Sequence, residues 1–172
     1  SLRVWSPDGE DVGIDKATGQ SSEALPEEQQ RFPNIDESAF SETTAAFDDS
    51  LFFQEILSRF LSPLTKIRLT TFTRGGLLTS HVDFPYWKTI RLHAVLSPDD
   101  ETEWEVDGEK RHLPADGHFY FMDVGKFHSV RNFGRIPRYD FSVNLLVYKD
   151  RRGNELHPPS TPLGDLIEDC LL

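Results

Sequence analysis

The hydrophobic periodicity of the chain changes at Pro63, and this change limits the fold more than any other sequence feature. Before Pro63, apolar residues recur at three- and four-residue spacing, and Asp48 or Asp49 can cap the start of a helix. This pattern predicts one amphipathic helix of about three turns. After Pro63, apolar and polar residues alternate in short segments between turn signals. The predicted strands span residues 66–73, 89–96, 102–107, 109–113, 118–123, 127–133 and 138–148. Such strands under one helix indicate an all-β sandwich or barrel with flanking helices.

The chain divides into three parts by composition. Residues 1–47 are rich in Ser, Gly, Asp, Glu and Gln and poor in aliphatic side chains, so we interpret them as an irregular N-terminal arm or a lid. Residues 48–148 hold the predicted helix and strands, and Asp107-Gly108 within them predicts a two-residue hairpin. Residues 149–172 form a tail with a predicted short helix. At 172 residues, the three parts fit a single domain.

Charge and cysteine content exclude several classes of partner and site. The sequence has 18 Lys and Arg against 29 Asp and Glu, and its net charge of −11 argues against nucleic acid because it repels phosphate backbones. A single cysteine, Cys170, excludes an internal disulfide framework and a cysteine-based zinc site. The apolar runs are too short to span a bilayer and no leader opens the chain, so we expect a cytoplasmic protein without a membrane partner. The oligomeric state stays open, and a homodimer is expected only if the Phe-rich helix face is left uncovered.

Two histidines and one aspartate form a candidate metal site. In the sequence His81-Val82-Asp83, strand alternation would put the imidazole and the carboxylate on one face, and His128 follows 45 positions after Asp83. Two imidazoles and a carboxylate with open positions suit a non-haem Fe(II) oxygenase, although zinc accepts the same ligands. A lone H-x-D pattern also occurs by chance in many proteins, so these residues alone leave a structural role open.

Polar faces on two predicted strands strengthen the metal-site hypothesis. In residues 89–96, Arg91 and His93 share a face opposite an aliphatic one, and in residues 138–148, Arg138 lies on a polar face opposite an apolar one. Exposure to solvent explains either polar face equally well. Beside a metal, however, two arginines would supply the planar, two-pronged donors that a dicarboxylate cosubstrate needs.

A longer pattern resembles a known enzyme family. Two runs carry it, IRLTTFTRGGLLTSHVDFPYWKTIRLHAVLSP and FYFMDVGKFHSVRNFGRIPRYDFSV. Together they combine H-x-D, R-L-H about ten residues later, H-S-V-x-N and an arginine ten residues past that histidine. Over about residues 64–148, the chain resembles the aspartyl/asparaginyl β-hydroxylases, which include bacterial proline 3-hydroxylase-like enzymes. The resemblance implies a double-stranded β-helix, a cupin-like jelly-roll barrel, that binds Fe(II) and 2-oxoglutarate.

The resemblance also implies roles for individual residues. The iron ligands, which are also the catalytic residues, would be His81, Asp83 and His128. Arg138 would hold the distal carboxylate of 2-oxoglutarate, with Thr70 assisting and His93 near the iron-proximal carboxylate. Animal members of the family lack the aspartate ligand, so Asp83 makes the chain similar to the bacterial amino-acid hydroxylases.

Substrate contacts are implied by the same segments. Arg91 would hold a carboxylate of the substrate or of the cosubstrate, and sequence does not separate these roles. Phe84, Tyr86 and Trp87 follow the metal motif and would form a wall of the substrate pocket, although such a segment equally suits a packed loop. The implied reaction uses dioxygen to hydroxylate an unactivated carbon of a small amino acid that is free, N-acylated or carrier-bound. Succinate and CO2 would be released.

Three other functions stay open at this point. The chain could hydroxylate Asp or Asn residues within a peptide. It could be a non-catalytic cupin-like domain that binds a metal without turnover. It could also be a zinc hydrolase or isomerase on a cupin barrel, which would need neither oxygen nor a cosubstrate.

Overall fold

The computed structural model describes residues 2–3, 5–6, 39–97, 101–150 and 152–170. Its strands are β1 (Leu2–Arg3), β2 (Trp5–Ser6), β3 (Glu42–Thr43), β4 (Leu64–Phe72), β5 (Leu77–His81), β6 (Thr89–Val95), β7 (Thr102–Val106), β8 (Glu109–Arg111), β9 (Tyr120–Met122), β10 (His128–Asn132) and β11 (Arg138–Leu146). Its helices are α1 (Ala45–Asp48), α2 (Leu51–Leu57) and α3 (Leu163–Cys170). All predicted site residues lie between the start of β4 and the end of β11, either on these strands or in the loops that join them.

Two antiparallel sheets face each other and form a double-stranded β-helix. The larger sheet has the strand order β1-β4-β11-β6-β9, the smaller has β5-β10-β7-β8, and β2 pairs with β3 separately. Side chains of the two sheets pack against each other. The Trp104 ring of β7 lies 4.7 Å from the His93 ring of β6 and 6.4 Å from the Phe72 ring of β4, measured between ring centroids. This architecture confirms the prediction of a jelly roll with flanking helices.

The larger sheet separates two apolar cores. Its outer face packs against α2 and α3, and the Phe53 ring of α2 stacks on Phe141 of β11 at 5.3 Å between centroids. Its inner face contributes to a second core around Trp104, inside the β-helix. Burial of each large apolar side chain stabilises the fold by about 1.5–3 kcal/mol. Because neighbouring residues of a strand point to opposite faces, the polar residues of β6 and β11 point into the β-helix.

The predicted long helix begins later and ends earlier than expected. Ser50 caps α2 by accepting a hydrogen bond from the Phe53 amide at 3.4 Å, so the expected start at Asp48 or Asp49 is wrong. The sheet covers Phe53 but leaves 52% of Phe52 exposed. The covered face is therefore narrower than the apolar pattern indicates, and a homodimer through the helix stays a prediction.

Four strands were missed by the sequence pattern. Strands β1, β2 and β3 all lie in residues 1–47, the segment expected to be irregular, and so does most of α1. Each of these strands has only two residues, too few to show a period. Strand β5, with the sequence Leu-Leu-Thr-Ser-His, lacks a clear alternation. The lid hypothesis concerns residues 7–38 of the predicted arm, and these lie outside the described residues.

Two local predictions are confirmed. Asp107 and Gly108 have φ values of 52° and 80°, as a two-residue type I′ turn requires, and they join β7 to β8. The tail forms α3, which buries Leu166 and Cys170 in the helix-side core, the apolar core between the larger sheet and the helices. Among the described residues, no helix is long and apolar enough to cross a membrane.

Candidate metal centre

Two strands of the smaller sheet bring the candidate histidines together. His81 ends β5 and His128 begins β10, and the two residues are direct partners in the antiparallel register. Their ring centroids lie 4.2 Å apart at an interplanar angle of 50°. The strand pairing therefore sets two imidazoles side by side.

Backbone carbonyls orient both imidazoles. His81 Nδ1 lies 2.7 Å from the Thr79 carbonyl oxygen, and His128 Nδ1 lies 3.0 Å from the Lys126 carbonyl oxygen. Since a carbonyl oxygen only accepts, each Nδ1 donates its proton and each Nε2 keeps its lone pair for a ligand. Burial lowers the pKa of His128, although the carbonyl of Lys126 opposes this shift. The ring is therefore neutral at pH 7, which is the form that binds a metal.

Asp83 joins the histidines from a loop. Strand β5 ends at His81, so strand alternation does not determine the position of Asp83. Instead, the Asp83 amide donates a hydrogen bond to the Val124 carbonyl at 2.8 Å. Asp83 Oδ1 lies 3.9 Å from His81 Nε2, and Asp83 Oδ2 lies 4.0 Å from His128 Nε2. One ligand atom from each residue falls within 4.8 Å of the other two. The structure thus brings together the three side chains that the sequence singled out.

A close approach between two loops fixes the segment that carries Asp83. A Cβ atom added to Gly125 would lie 2.7 Å from Pro85 Cα and 3.4 Å from the Phe84 carbonyl oxygen. The first distance is far below van der Waals contact, so a larger residue would push the loops apart. Gly125 therefore helps to place the carboxylate next to the histidines.

The three side chains fit a divalent transition metal. Two ligand atoms that each lie about 2.1 Å from one ion can be at most about 4.2 Å apart. The separation of 3.9 Å from Asp83 Oδ1 to His81 Nε2 and that of 4.0 Å from Asp83 Oδ2 to His128 Nε2 each meet that limit, and they start from the two different oxygens of the carboxylate. Two neutral imidazoles and one carboxylate also leave coordination positions for small molecules. Fe(II) and zinc both accept this donor set, so the residues define a candidate metal centre without choosing the ion.

Arg91 contacts the metal cluster directly. Its Nη1 donates a hydrogen bond to Asp83 Oδ2, and its Nε donates to Asn144 Oδ1 at 3.0 Å. Burial raises the pKa of Asp83, but the charges of Arg91 and Lys66 and the hydrogen bond from Arg91 together hold it well below its usual range. The carboxylate is therefore ionised. From the sequence, Arg91 could bind a carboxylate of either the substrate or the cosubstrate, and its ion pair with Asp83 was not predicted.

Lys66 lies in the interior because β4 contains a bulge. The register of β4 against β11 shifts between Ser142 and Asn144, and Lys66 has a φ of 47°. This left-handed conformation is uncommon for a lysine and typical of bulged or strained positions. Only 3% of Lys66 is exposed, and its Nζ lies 5.7 Å from the centroid of the Phe40 ring. Regular alternation cannot reveal such a residue, which is why the sequence missed it.

A cavity of about 240 Å³ lies beside the metal cluster, inside the β-helix. Two of the predicted cosubstrate residues line it, Thr70 and His93, together with Arg91 and His128. The complete lining is Arg68, Thr70, Phe72, Leu78, Arg91, His93, Trp104, Val124, His128, Asp140 and Ser142. The polar faces of β6 and β11 therefore surround a cavity, and the alternative explanation by solvent exposure does not apply to them.

Arg138 is linked to the cavity through two other side chains. It is fully buried, its Nη1 donates to the Leu113 carbonyl at 3.3 Å, and its Nη2 lies 3.8 Å from Asp140 Oδ1. Asp140 Oδ2 in turn lies 2.6 Å from His93 Nδ1. The lining that the described residues give the cavity includes Asp140 and His93 but not Arg138. The structure thus places Arg138 one residue behind the cavity wall.

The three aromatic residues after the metal motif lie away from the cavity. Lys88 Nζ sits 4.4 Å from the centroid of the Phe84 ring, Tyr86 packs against the helix-side core, and the Trp87 ring lies 5.8 Å from that of Tyr148. The cavity lining formed by the described residues includes none of the three. Their contact with the substrate stays a prediction, and so does the alternative of a packed loop.

The chain has low similarity to several solved structures. No protein-family model and no curated protein matches the chain. A predicted oxalate decarboxylase from Thermotoga maritima is 17% identical over 54% of this chain and 72% of its own, with a TM-score of 0.40. The Cnp3 cupin domain of Schizosaccharomyces pombe is 13% identical over 51% of this chain and 67% of its own, with a TM-score of 0.39. A double-stranded β-helix protein from Klebsiella pneumoniae is 21% identical over 56% of this chain and 80% of its own, with a TM-score of 0.39.

Proposed function

We propose that this protein is an Fe(II)- and 2-oxoglutarate-dependent dioxygenase of the aspartyl/asparaginyl β-hydroxylase type. It hydroxylates an unactivated carbon of a small amino acid with dioxygen and releases succinate and CO2. The observation that carries the proposal is the cluster of His81, Asp83 and His128, whose ligand atoms lie within 4.8 Å of one another beside a polar cavity. Two imidazoles, one carboxylate and open positions form the ligand set that suits oxygen-activating iron.

The residues around the cluster each contribute to holding the iron. His81 and His128 present Nε2 because their Nδ1 atoms are hydrogen-bonded to the backbone. Asp83 supplies the negative charge, and Arg91 keeps that carboxylate ionised and fixed in orientation. When bound, Fe(II) supplies the activation of dioxygen.

The cavity next to the cluster accommodates the cosubstrate. Thr70 offers a hydroxyl in its wall, and His93 is fixed by Asp140 so that its other nitrogen, Nε2, is available to a bound molecule. Arg138 adds a positive charge from behind Asp140. Holding the cosubstrate rigidly against the iron is the protein's main contribution to the rate, since it removes the entropy cost of alignment.

The cavity has room for one small molecule. Ligand pockets for drug-sized molecules measure about 300–1,000 Å³, whereas this cavity measures about 240 Å³. A peptide would need a long groove beside the cluster in addition to this space. The net charge of −11 also does not attract acidic peptides, so we favour a free, N-acylated or carrier-bound amino acid over an Asp or Asn residue within a peptide.

Oxygen consumption tests the proposal. Protein purified without oxygen is assayed for bound metal, then supplied with Fe(II), 2-oxoglutarate and a panel of free and N-acylated amino acids. We expect succinate formation and a product that is heavier by one oxygen atom, both lost in Asp83→Asn and kept in the surface control Asp165→Asn. Activity that needs neither oxygen nor 2-oxoglutarate would identify a zinc hydrolase or isomerase instead. Metal binding without turnover of any panel member would identify a non-catalytic domain.

A further inference from the structure

Three side chains form a row across the cavity wall. Arg68 of β4 is the register partner of Ser142 of β11, and Ser142 is the register partner of His93 of β6. All three line the same cavity. Side chains directly opposite each other on one face of antiparallel strands have Cβ atoms about 4.5–5.5 Å apart. A guanidinium, a hydroxyl and an imidazole are therefore within reach of a single small ligand.

Ser142 and His93 of this row each have one buried side-chain atom without a hydrogen-bond partner among the described residues. Ser142 Oγ and His93 Nε2 have none among the described residues, although only 1% of Ser142 and 6% of His93 is exposed. Buried polar atoms in native proteins are nearly always hydrogen-bonded, and each one left unpaired costs about 1–3 kcal/mol. Their position on the wall of a cavity indicates that a bound molecule supplies the missing partners.

The chemistry of the row selects the ligand. The other arginine of the cavity, Arg91, already donates to Asp83 and Asn144. The carboxylate of the wall, Asp140, contacts His93 through Oδ2, and its Oδ1 lies 3.8 Å from Nη2 of the buried Arg138. Arg68 and Ser142 are register partners in the same wall, to which they contribute a guanidinium and a hydroxyl. A planar guanidinium beside a hydroxyl matches the two oxygens of a carboxylate.

We propose that Arg68 and Ser142 form a carboxylate-binding subsite that orients a small acid beside the metal cluster. The carboxylate accepts hydrogen bonds from the Arg68 guanidinium and the Ser142 hydroxyl, and another group of the same acid hydrogen-bonds with the His93 ring. This subsite rests on the proposed function for the metal next to it. Its carboxylate comes either from 2-oxoglutarate or from the amino-acid substrate, and binding measurements separate the two sources.

Tryptophan fluorescence reports on binding without any turnover. Trp104 lines the cavity and is 2% exposed, so a ligand in the cavity changes its environment. Zn(II)-loaded protein is titrated with 2-oxoglutarate and, separately, with N-acetylated amino acids. We expect Arg68→Gln to weaken the binding of one of these acids about tenfold to hundredfold, as loss of a charge-assisted hydrogen bond does. The control Arg59→Gln alters an exposed arginine of the α2 side and should leave both affinities unchanged.

Ser142→Ala gives a second readout that a purely structural role would not produce. Because Ser142 Oγ has no hydrogen-bond partner among the described residues, its removal should leave the melting temperature of the ligand-free protein unchanged or raise it. The same variant should weaken carboxylate binding about threefold to tenfold. A structural serine would instead show a lower melting temperature and unchanged affinity.

The outcomes distinguish this proposal from the proposed function. Weaker binding of 2-oxoglutarate alone assigns the subsite to the cosubstrate, and weaker binding of the amino acid alone assigns it to the substrate; both support the proposal. Unchanged affinities in Arg68→Gln and Ser142→Ala, with normal Zn(II) binding, overturn the subsite and leave the dioxygenase intact. Carboxylate binding that depends on Arg68 in a protein that consumes no oxygen overturns the dioxygenase and leaves the subsite. A wild-type protein that binds Zn(II) but neither acid overturns both.

Discussion

Arg91 donates a hydrogen bond to Asp83 Oδ2, so the carboxylate of the metal cluster has a cationic partner within the protein. Asn144 holds the same guanidinium through Nε at 3.0 Å. Oδ1, the other oxygen of Asp83, lies 3.9 Å from His81 Nε2. Oδ2 also lies 4.0 Å from His128 Nε2, so the contact with Arg91 and the candidate metal position share this carboxylate.

Removing Arg91 should destabilise the protein even without metal. The side chains of Arg91 and Asp83 are only 6% and 11% exposed, and breaking a buried ion pair costs about 3–5 kcal/mol because one charge stays buried without its partner. Urea unfolding of Arg91→Met in the presence of a chelator should therefore show a loss of about 3 kcal/mol. The matched control is Arg59→Met, whose partner Glu55 lies 3.4 Å away in an exposed pair, and it should lose less than about 1 kcal/mol. Equal losses in the two variants would mean that the pair with Asp83 contributes little.

Gly125→Ala should weaken metal binding without touching a ligand. The added Cβ would lie 2.7 Å from Pro85 Cα, so the loop that carries Asp83 must shift. We expect about tenfold weaker Co(II) binding by calorimetry, since a small displacement of one ligand suffices for a loss of that size. The control Gly164→Ala adds a methyl group in open space on α3 and should bind Co(II) normally and gain up to about 1 kcal/mol of stability. Normal Co(II) binding by Gly125→Ala would show that the loop adapts.

Metal should stabilise the fold through the two histidines. A ligand that binds only the folded state at 100 times its dissociation constant adds about 2.7 kcal/mol to the free energy of unfolding. Thermal unfolding should therefore shift upward with added Zn(II) or Co(II), and His128→Ala should abolish the shift because His128 is 2% exposed and faces Asp83. His118→Ala, at a ring that is 75% exposed, should keep it. A shift that survives in His128→Ala would place the metal elsewhere.

Motif spacing and strand periodicity were enough to predict β4, the strands β6 to β11 and the members of the candidate metal cluster. His81, Asp83 and His128 could be chosen because few residue types bind metals and the H-x-D pattern is local. The reason that they meet is different from the expected one. The sequence predicts that strand alternation determines the position of Asp83. In the structure β5 ends at His81, and the hydrogen bond from the Asp83 amide to the Val124 carbonyl holds Asp83 in place.

The surroundings of the cluster could not be predicted for two physical reasons. Alternation shows that Arg91 and Ser142 lie on polar faces, but it cannot tell a face toward solvent from a face toward an internal cavity. The bulge at Lys66 shifts the register of β4, and nothing in the local sequence marks such an irregularity. Contacts such as Arg91 with Asp83 depend on this three-dimensional register, so they become visible only in the structure.

Cys170 should show the pH dependence of a thiol that is kept protonated by burial. Burial raises the pKa of its thiol, against the opposing contact with Ser62 Oγ at 2.7 Å. The folded state thus holds this proton more tightly than the unfolded state, and unfolding releases it when the pH exceeds the ordinary thiol pKa of about 8.5. The stabilising contribution is complete below that pH and is lost as the pH rises further, so the free energy of unfolding should fall above about pH 8.5 more steeply in wild type than in Cys170→Ala. Alkylation by iodoacetamide at pH 8 should also be at least about tenfold slower in the folded protein than in urea, because the thiolate is the reactive form. Equal alkylation rates in the two conditions would mean that Cys170 is accessible and titrates normally.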